Sequence, residues 1–500
     1  MIAISALVVA LAAPPSPARA MPMRTAPVDA VPSVLHPTDG GLTAARVAQR
    51  ALLDAPDVEL RAAELDAAAA RVDEARAGYV PALDLTAQYM RLSPLPGGSS
   101  SGALTGTLNP GPLAVGACPD GTAGCVVDSQ GVPAVSQSFQ FAAIQDTYAL
   151  SASVGVPLSD DIFTIPHAVA AARHGERAAQ LARDIARVDT TVDAQITYYN
   201  WVRAQANLEL ADRSAARVGK RIDEATARLR AGAITQTDVL RLQAQLAAAQ
   251  RSAAEAEAFV FITAEDLGTR IAADPATLSL GEDVTATFAA DRKREDTSAL
   301  VEQALARRLE IQLLQASDDA LREQIKVART RYAPRLDLVG QLDTANPNQR
   351  VVPQRDQFDT TWAAGVRLSY DVRGAITTRS QIRSQRAQRR SIAAQVAQLQ
   401  RGVRLQVVQA ARQLQAARRS VGLSQVGLKS AEAAYEQVSV RYRVGAVGVV
   451  DMLEAESLRV EAELRSIEAH IAVREQDLRL RHALGEIARP SEPARGDATG

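Results

Sequence analysis

Few side chains in this 500-residue chain have the type and spacing that catalysis or metal binding requires. The five histidines form no zinc-type ligand spacing: His36, His167, His174, His470 and His482. No nucleotide-binding G-x-x-x-x-G-K-[ST] motif and no Ser-His-Asp or Cys-His constellation is recognisable. We therefore expect no enzymatic activity, no cofactor and no metal, so any step that requires energy must draw it from a partner.

The two cysteines, Cys118 and Cys125, lie in one segment rich in Gly and Pro. Their spacing does not fit a CxxC redox or zinc motif, and no further ligands lie near them. In an oxidising compartment they can close a small loop, because Pro119, Asp120 and Gly121 favour a turn. We predict a disulfide here; two unpaired cysteines in a disordered loop are the alternative.

Two short segments combine a glycine with a carboxylate in the pattern of a turn between helices. Gly232 and Gly445 have the positions of helix C-caps, where Gly adopts a positive φ without strain. Thr235-x-x-Asp238 resembles a capping box with Asp in place of Glu, and Asp451 occupies the matching place in the second segment. Helix capping is therefore the simplest interpretation of both aspartates.

Composition places the chain outside several functional classes. The 56 basic and 57 acidic residues give a net charge of −1, which argues against nucleic-acid binding. The first 20 residues resemble a secretory signal, because an apolar run, 2–13, precedes the cleavage-type sequence Ala18-Arg19-Ala20. The run is not preceded by Lys or Arg, which departs from the usual pattern. We expect export, with the mature chain starting near Met21.

The chain is a tandem duplication. The sequence Ala75-Arg76-Ala77-Gly78-Tyr79-Val80-Pro81-Ala82-Leu83-Asp84-Leu85 returns as Ala328-Arg329-Thr330-Arg331-Tyr332-Ala333-Pro334-Arg335-Leu336-Asp337-Leu338. The two glycine turns form a second repeated pair. The predicted organisation is a signal at 1–20, a linker at 21–41, a first repeat at 42–272, a linker at 273–296, a second repeat at 297–488 and a disordered tail at 489–500.

Each repeat contains two segments in which apolar and polar residues alternate. The four predicted strands cover about 79–90, 147–158, 332–343 and 360–371. Apolar-out and polar-in alternation over about ten residues is typical of membrane β-strands, although a half-buried soluble sheet has the same period. The aromatics near the strand ends are predicted to mark the lipid interfaces: Tyr79, Tyr332 and Tyr370 at one end, and Tyr89, Tyr148 and Trp362 at the other.

Long helices connect these strands. The predicted helices cover about 164–231, 235–271, 375–443 and 448–486, and the positions from Val239 to Leu267 keep a 3-4 apolar spacing. That spacing favours coiled-coil packing. At about 1.5 Å per residue, the longest helices would reach on the order of 100 Å, a length suited to crossing a periplasm.

Four strands cannot close a membrane sheet within one chain. Backbone groups in lipid must all be paired, so several protomers have to share one barrel. Two protomers would give about eight strands and a filled interior, whereas three would give twelve and leave room for a pore. The polar positions Asp84, Gln88, Asp337, Gln341 and Arg367 suit a wet lumen. Strand number favours three protomers over two without excluding four.

The ordered motifs resemble those of the TolC-like outer membrane factors over nearly the whole mature chain. They are Leu42-Thr43, Tyr79-x-Pro81-x-Leu83-x-Leu85, Val156-Pro157-Leu158, Tyr332-x-Pro334-x-Leu336-x-Leu338, Trp362-x-x-Gly365 and Arg443-x-Gly445 to Asp451-x-Leu453. Two departures are Ser369 in place of the first repeat's Pro157, and a long Gly/Ser/Pro-rich loop at 91–146.

The resemblance implies a mainly helical homotrimer with a twelve-stranded membrane β-barrel on a coiled-coil α-helical barrel. It implies the outer membrane as location, a periplasmic adaptor and an inner-membrane pump as partners, and a passive exit duct for efflux or type I secretion as function. Asp238, Asp451 and Glu454 match acidic positions that ring the periplasmic entrance, and Tyr442 matches a gate-bonding tyrosine. Gly232 and Gly445 would mark the turns that contact the adaptor. Val447 occupies a position where a member of this family has a gate arginine, and Arg441 or Arg443 could take its place.

Two other classes compete with the channel. A periplasmic coiled-coil adaptor also has long hairpins, but it does not explain four alternating strands, and no lipoyl-like half-motifs flank a single hairpin. A purely structural coiled coil leaves the polar-inward strands and the Gly/Pro-rich loop unexplained.

Overall fold

The computed structural model describes residues 37–93, 101–107, 109–140, 144–284, 296–352 and 354–487. The expected signal, most of the 21–41 linker, residues 285–295 of the inter-repeat linker and the 489–500 tail lie outside these ranges. None of the described helices is both long enough and apolar enough to cross a membrane.

Nine α-helices carry most of the described chain. They are α1 (Ala44–Ala51), α2 (Pro56–Ala77), α3 (Leu158–Phe163), α4 (Ile165–Arg230), α5 (Gln236–Ile271), α6 (Thr297–Arg307), α7 (Leu309–Thr330), α8 (Val372–Arg443) and α9 (Val449–Ala483). Helix α4 has 66 residues and α8 has 72. Helices α4 and α8 each end two residues before a glycine that the sequence analysis proposed as a cap, and Gly232 and Gly445 adopt φ of +71° and +77°.

Eight strands form three separate sheets in the described residues. They are β1 (Ala82–Arg91), β2 (Ser101–Gly106), β3 (Ala114–Ala117), β4 (Ala123–Val127), β5 (Val135–Gln140), β6 (Asp146–Val156), β7 (Arg335–Asn346) and β8 (Asp359–Ser369). The main sheet has the order β1-β6-β7-β8 with antiparallel neighbours, whereas β2 pairs with β5 and β3 with β4. The predicted class, long helices with four antiparallel strands in two repeated halves, is confirmed.

The repeated strands β1 and β7 begin three residues later than the alternation suggested. Tyr79 and Val80 still donate backbone hydrogen bonds to Arg76 and Ala77, so the end of α2 continues as a turn. Tyr332 donates in the same way to Arg329 after α7. The proline that follows each tyrosine cannot donate a backbone hydrogen bond, which delays the start of the strand.

The chain divides into two compact units. Among the described residues, one unit comprises those up to 59, those within 186–307 and those from 403 onward, and the other comprises those within 60–185 and 308–402. The second unit holds the main sheet together with most of α2, all of α7 and parts of α4 and α8. Helix α3 anchors this sheet, since Ser159 accepts a hydrogen bond from Leu336 N at 3.1 Å and Asp160 pairs with Arg335 at 2.8 Å.

The first unit has an apolar core that includes α1, α4, α5 and α9. Its buried members include Val47, Tyr198, Trp201, Leu267, Leu280, Val284 and Ile471. The inter-repeat segment joins this core through a parallel bridge between Leu42 and Leu280. Arg474 donates to the carbonyls of Val284 at 2.6 Å and Asp283 at 2.8 Å, so the described part of the expected linker is packed and hydrogen bonded.

Candidate functional site

The first interhelix turn is closed by reciprocal hydrogen bonds. Asp238 N donates to Thr235 Oγ1 at 3.3 Å, and Thr235 N donates to Asp238 Oδ2 at 3.1 Å. The Thr235 hydroxyl also donates to Asp238 Oδ2 at 2.7 Å. The two hydrogen bonds that Thr235 donates to the carboxylate, first from its hydroxyl and then from its backbone N–H, lower the pKa of the Asp238 carboxyl. The carboxylate of Asp238 is thus committed to capping α5.

The second interhelix turn has only half of this arrangement. Gly448 is the N-cap of α9 and has no side chain, so only the Asp451 carboxylate closes the turn, accepting from Gly448 N at 3.1 Å. Glu454 follows one helical turn later, and both acidic side chains are exposed. They line one side of a groove between α8 and α9, opposite residues such as Gly427 and Ala431.

The two turns are packed on one apolar cluster. Its buried members are Ala225, Val239, Leu242, Tyr442, Val449 and Met452. Val239 directly follows Asp238 and Met452 directly follows Asp451, so the cluster brings both aspartates to the same end of this unit. Tyr442 lies within the cluster with its side chain buried. The phenolic oxygen of Tyr442 makes no hydrogen bond to any described residue.

Arg228, in the last turn of α4, ties the second turn to the first. Its guanidinium donates to the backbone carbonyls of Tyr442 at 2.9 Å and Arg443 at 3.0 Å, which lie in the last turn of α8, where carbonyls lack i+4 helical donors. The Arg228 Cζ lies 4.7 Å from the centroid of the Tyr442 ring, a cation–π distance. The sequence analysis named Arg441 and Arg443 as substitutes for the absent gate arginine. It did not single out Arg228, because an arginine near a helix end normally interacts with the carbonyls of its own helix.

A buried ionic cluster holds α4 against α9 behind the second turn. Glu456 pairs with Arg217 at 3.0 Å and with Arg221 at 3.2 Å, and all three side chains are largely buried. Arg221 also donates to the Tyr435 hydroxyl of α8 at 2.6 Å. Glu456 was also missed by sequence reasoning, although it lies four residues before Val460 on the apolar stripe of α9 and a charge at such a position signals a buried partner.

The main sheet separates apolar and polar residues onto opposite faces. The register pairs Leu85 with Ala152, Ala152 with Leu342 and Leu342 with Trp362, so one face is apolar across all four strands. The residues one step away, Asp84, Ser153, Gln341 and Ala363, form a row on the other face. On that polar face Asp337 and Arg367 lie directly opposite each other. The apolar side chains of this sheet are exposed, including Trp362 at 74%.

The six candidate interface aromatics fall at the two ends of this sheet. Tyr89 and Tyr148 are register partners with ring centroids 5.0 Å apart, and Trp362 lies near the same end in β8. Tyr79, Tyr332 and Tyr370 flank the strands at the opposite end. All six are exposed. Their role at lipid interfaces remains a prediction.

The long loop between β1 and β6 contains ordered hairpins that the sequence did not predict. Strand β2 pairs with β5, and the β3–β4 hairpin lies between them in the chain. A disulfide joins Cys118 to Cys125, whose Cα atoms are 5.1 Å apart. Cys118 N donates to Thr122 O at 2.7 Å across the turn. These strands have only four to six residues, too few for a clear alternation of apolar and polar residues.

Comparison with known proteins agrees with this architecture. A profile of the family "Outer membrane efflux protein" matches residues 47–269 and 300–486. The outer membrane protein TolC of Vibrio cholerae serotype O1 is 30% identical over 149 residues, which are 30% of this chain and 34% of that relative. The aligned segment therefore spans about a third of the curated relative's length.

Solved structures match over most of the chain. The outer-membrane channel OprN superposes with a TM-score of 0.68 at 18% identity, covering 89% of this chain and 91% of that one. The Campylobacter jejuni CmeC outer membrane channel gives the same TM-score at 15% identity, with 90% and 87% covered. At these identities the likeness concerns the fold.

The fold of this chain, with its long helices and four-stranded sheet, matches the fold of these solved outer-membrane channels. The family match covers both repeats, and the chain belongs to the outer membrane efflux protein family. This family is one of non-enzymatic transporters. Membership of it excludes the two alternatives, a periplasmic adaptor and a purely structural coiled coil.

Proposed function

We propose that the chain is one protomer of a homotrimeric outer-membrane duct. The observation that carries this proposal is the four-stranded sheet with two unpaired edges. In the described residues β1 and β8 each have a single neighbour, and an open sheet edge is not tolerated in lipid. Because the strands alternate in direction, β8 of one copy can pair antiparallel with β1 of the next, and three copies make twelve strands around a pore.

The two faces of the sheet support the same arrangement. The exposed apolar face would contact lipid, with the aromatic ends at the two interfaces. The row containing Asp84, Gln341 and Arg367 would line the water-filled lumen. The protein supplies no energy in this scheme; an inner-membrane pump drives the cargo through a periplasmic adaptor that contacts the turns at Gly232 and Gly445.

The proposal is tested by the mass of the purified protein in detergent. Native mass spectrometry of membrane-extracted protein is expected to give three copies per particle. A folded monomer or dimer as the largest species would refute the shared barrel. Extraction is the accompanying control, because a lipid-facing sheet requires detergent for release from the membrane fraction.

The second interhelix turn is the proposed periplasmic gate. In a trimer, Asp451 and Glu454 appear three times around one axis, and these clustered carboxylates lower the electrostatic potential of a narrow mouth. Such a ring favours cations through its field, and salt weakens the effect over a screening length of about 8 Å at physiological ionic strength. Asp238 would contribute less, because its carboxylate is held by Thr235.

Isosteric variants separate gating from capping. Glu454→Gln removes one charge per protomer without touching a cap, and Asp451→Asn keeps an oxygen that accepts from Gly448 N. The double variant is expected to lose cation selectivity and block by trivalent cations in planar bilayers. Glu302→Gln, an exposed carboxylate on α6, is the matched control that leaves selectivity unchanged. Unaltered selectivity in the folded double variant would refute the gate while the duct proposal stands.

A further inference from the structure

Helix α8 carries an unusually basic surface where it leaves the sheet. From Val372 to Ala431 the chain contains no Asp or Glu. Four arginines, Arg379, Arg383, Arg386 and Arg390, follow one another at spacings of four, three and four residues, which places them within about 60° of arc on one face. All four are exposed, and none has a carboxylate within ion-pair distance in the part of the chain that the structure describes.

This arginine row borders the packed side of α8. Arg383, Arg386 and Arg390 line an open groove, and its α7 wall includes Asp318 and Asp319. Thr378 and Ile382 are buried and mark the side that meets the protein interior, roughly a quarter turn from the arginines. Arg389 belongs to the packed side, where it forms a two-pronged ion pair with Asp318 of α7 at 2.7 and 2.9 Å. Ile376, 71% exposed, borders the row and adds apolar surface to it.

Helix α2 offers the complementary surface. Only Ala68 and Val72 of its 22 residues are buried, so most of the helix has no partner in the protomer. Asp66 and Asp73 lie roughly 130° around the helix from buried Ala68 and Val72. Ala70, between the two aspartates in sequence, and Ala77, after them, lie on the same face. Asp66 has no ion pair within the described chain, and Asp73 contacts only Arg76 of its own helix.

We propose that the arginine row of α8 binds the acidic face of α2 from a second copy of this chain. The proposal rests on the shared barrel proposed above. Pairing β8 with β1 of the next copy places the helix after β8 beside the helix before β1, and these are α8 and α2. The two helices run in opposite directions relative to the sheet, one leaving it and the other entering it.

The spacing of the charges fits this antiparallel contact. Asp66 and Asp73 are seven residues apart, and so are Arg379 and Arg386. In an antiparallel contact, Asp73 can therefore pair with Arg379 while Asp66 pairs with Arg386. Seven residues are two helical turns, the repeat at which two packed helices present the same face. The small Ala70 and Ala77 let the backbones approach, and the charges select the correct neighbour and register more than they add affinity.

Crosslinking between introduced cysteines tests the contact. The native cysteines are both in the disulfide, so a bismaleimide reacts only with new thiols. In detergent-purified full-length protein, Asp66→Cys with Arg386→Cys is expected to give covalent dimers and trimers on denaturing gels. The matched control, Arg71→Cys with Gln388→Cys, lies at a similar level on the opposite faces of both helices and is expected to stay monomeric.

Charge exchange tests whether the arginines and aspartates carry the contact. Asp66→Arg with Asp73→Arg is expected to lower the temperature at which the trimer dissociates, and adding Arg379→Asp with Arg386→Asp is expected to restore it. Suppose that the wild type is trimeric. This contact is then overturned if the cysteine pair gives no crosslink, if it gives only links within one chain, or if the charge exchange does not restore stability; the duct proposal would still stand. A wild type that is not oligomeric would overturn both.

Discussion

The two interhelix turns descend from one duplicated segment, yet they hold their carboxylates differently. In the first turn Thr235 and Asp238 bond each other three times, whereas in the second Asp451 receives one hydrogen bond from a glycine N-cap. The first carboxylate serves the stability of its own helix. The second carboxylate is exposed with Glu454 beside it, and under the proposed gate its field would act on ions. The two repeats thus contain two matching caps, and the second lacks an N-cap side chain, which is consistent with the gate proposed for it.

The largest expected effect lies behind the second turn. Glu456→Ala leaves Arg217 and Arg221 buried without their partner, and breaking a buried pair in this way costs about 3–5 kcal/mol. Thermal unfolding followed by circular dichroism should show a strongly lowered midpoint. Glu454→Ala, two residues away and exposed, is the control and should change the midpoint little. Equal effects of the two variants would mean that the buried cluster does not hold the second turn.

A smaller loss is expected when the first turn loses its N-cap. Thr235→Ala removes the hydroxyl that Asp238 N and Asp238 Oδ2 contact, and such N-cap losses cost about 1 kcal/mol. Thr235→Ser keeps the hydroxyl and should behave as wild type. Chemical denaturation of the detergent-solubilised protein measures both. A Thr235→Ala variant as stable as the serine variant would remove the asymmetry between the turns.

Acid should weaken the first turn through Asp238. Its folded-state pKa is lowered, so the carboxylate contributes stability above the unfolded pKa of about 3.9, and that contribution disappears as the pH falls through the folded pKa. The stability difference between wild type and Asp238→Ala is therefore expected to be constant near neutrality and to shrink below about pH 4. A difference that grew on acidification, measured by denaturation across pH, would contradict this sign.

The smallest effect comes from converting the second turn into the first. Gly448→Ser supplies the missing N-cap side chain, at a φ of −80° that serine adopts without strain. The added Cβ meets Asp451 Oδ2 at 3.7 Å, an ordinary contact. We expect a gain of a few tenths of a kcal/mol, since Gly is only slightly worse than Ser at an N-cap. If Asp451 is then held as Asp238 is, cation selectivity in bilayers should fall slightly; a rise would show that capping and ion attraction are unrelated.

The fold was predictable from the sequence because its signals are local and repeated. Tandem motifs gave the two halves, and Gly232, Thr235 and Gly445 gave the long helix ends within a residue or two. The strand starts were placed too early, because the tyrosines before Pro81 and Pro334 continue the alternation while their backbones continue the helical turn.

The partners of the candidate site were less predictable, for a geometric reason. The turn glycines and carboxylates are recognised by spacing along one chain segment. Arg228 contacting Tyr442, and Glu456 contacting Arg217, join helices whose relative rotation no local pattern specifies. The hairpins of the outer loop were missed because their strands have only four to six residues and lack the sustained apolar alternation that identifies the main sheet.

The bridge between Leu42 and Leu280 has a consequence for the order of folding. Thr38 donates to the Leu280 carbonyl although 242 residues separate the two in the chain. The same core also needs Ile467 and Ile471 of α9, close to the C-terminal end of the described chain. Contacts of such long sequence separation form slowly. The core can therefore close only after nearly the entire polypeptide has been synthesised and exported, and until then the growing chain needs protection from aggregation.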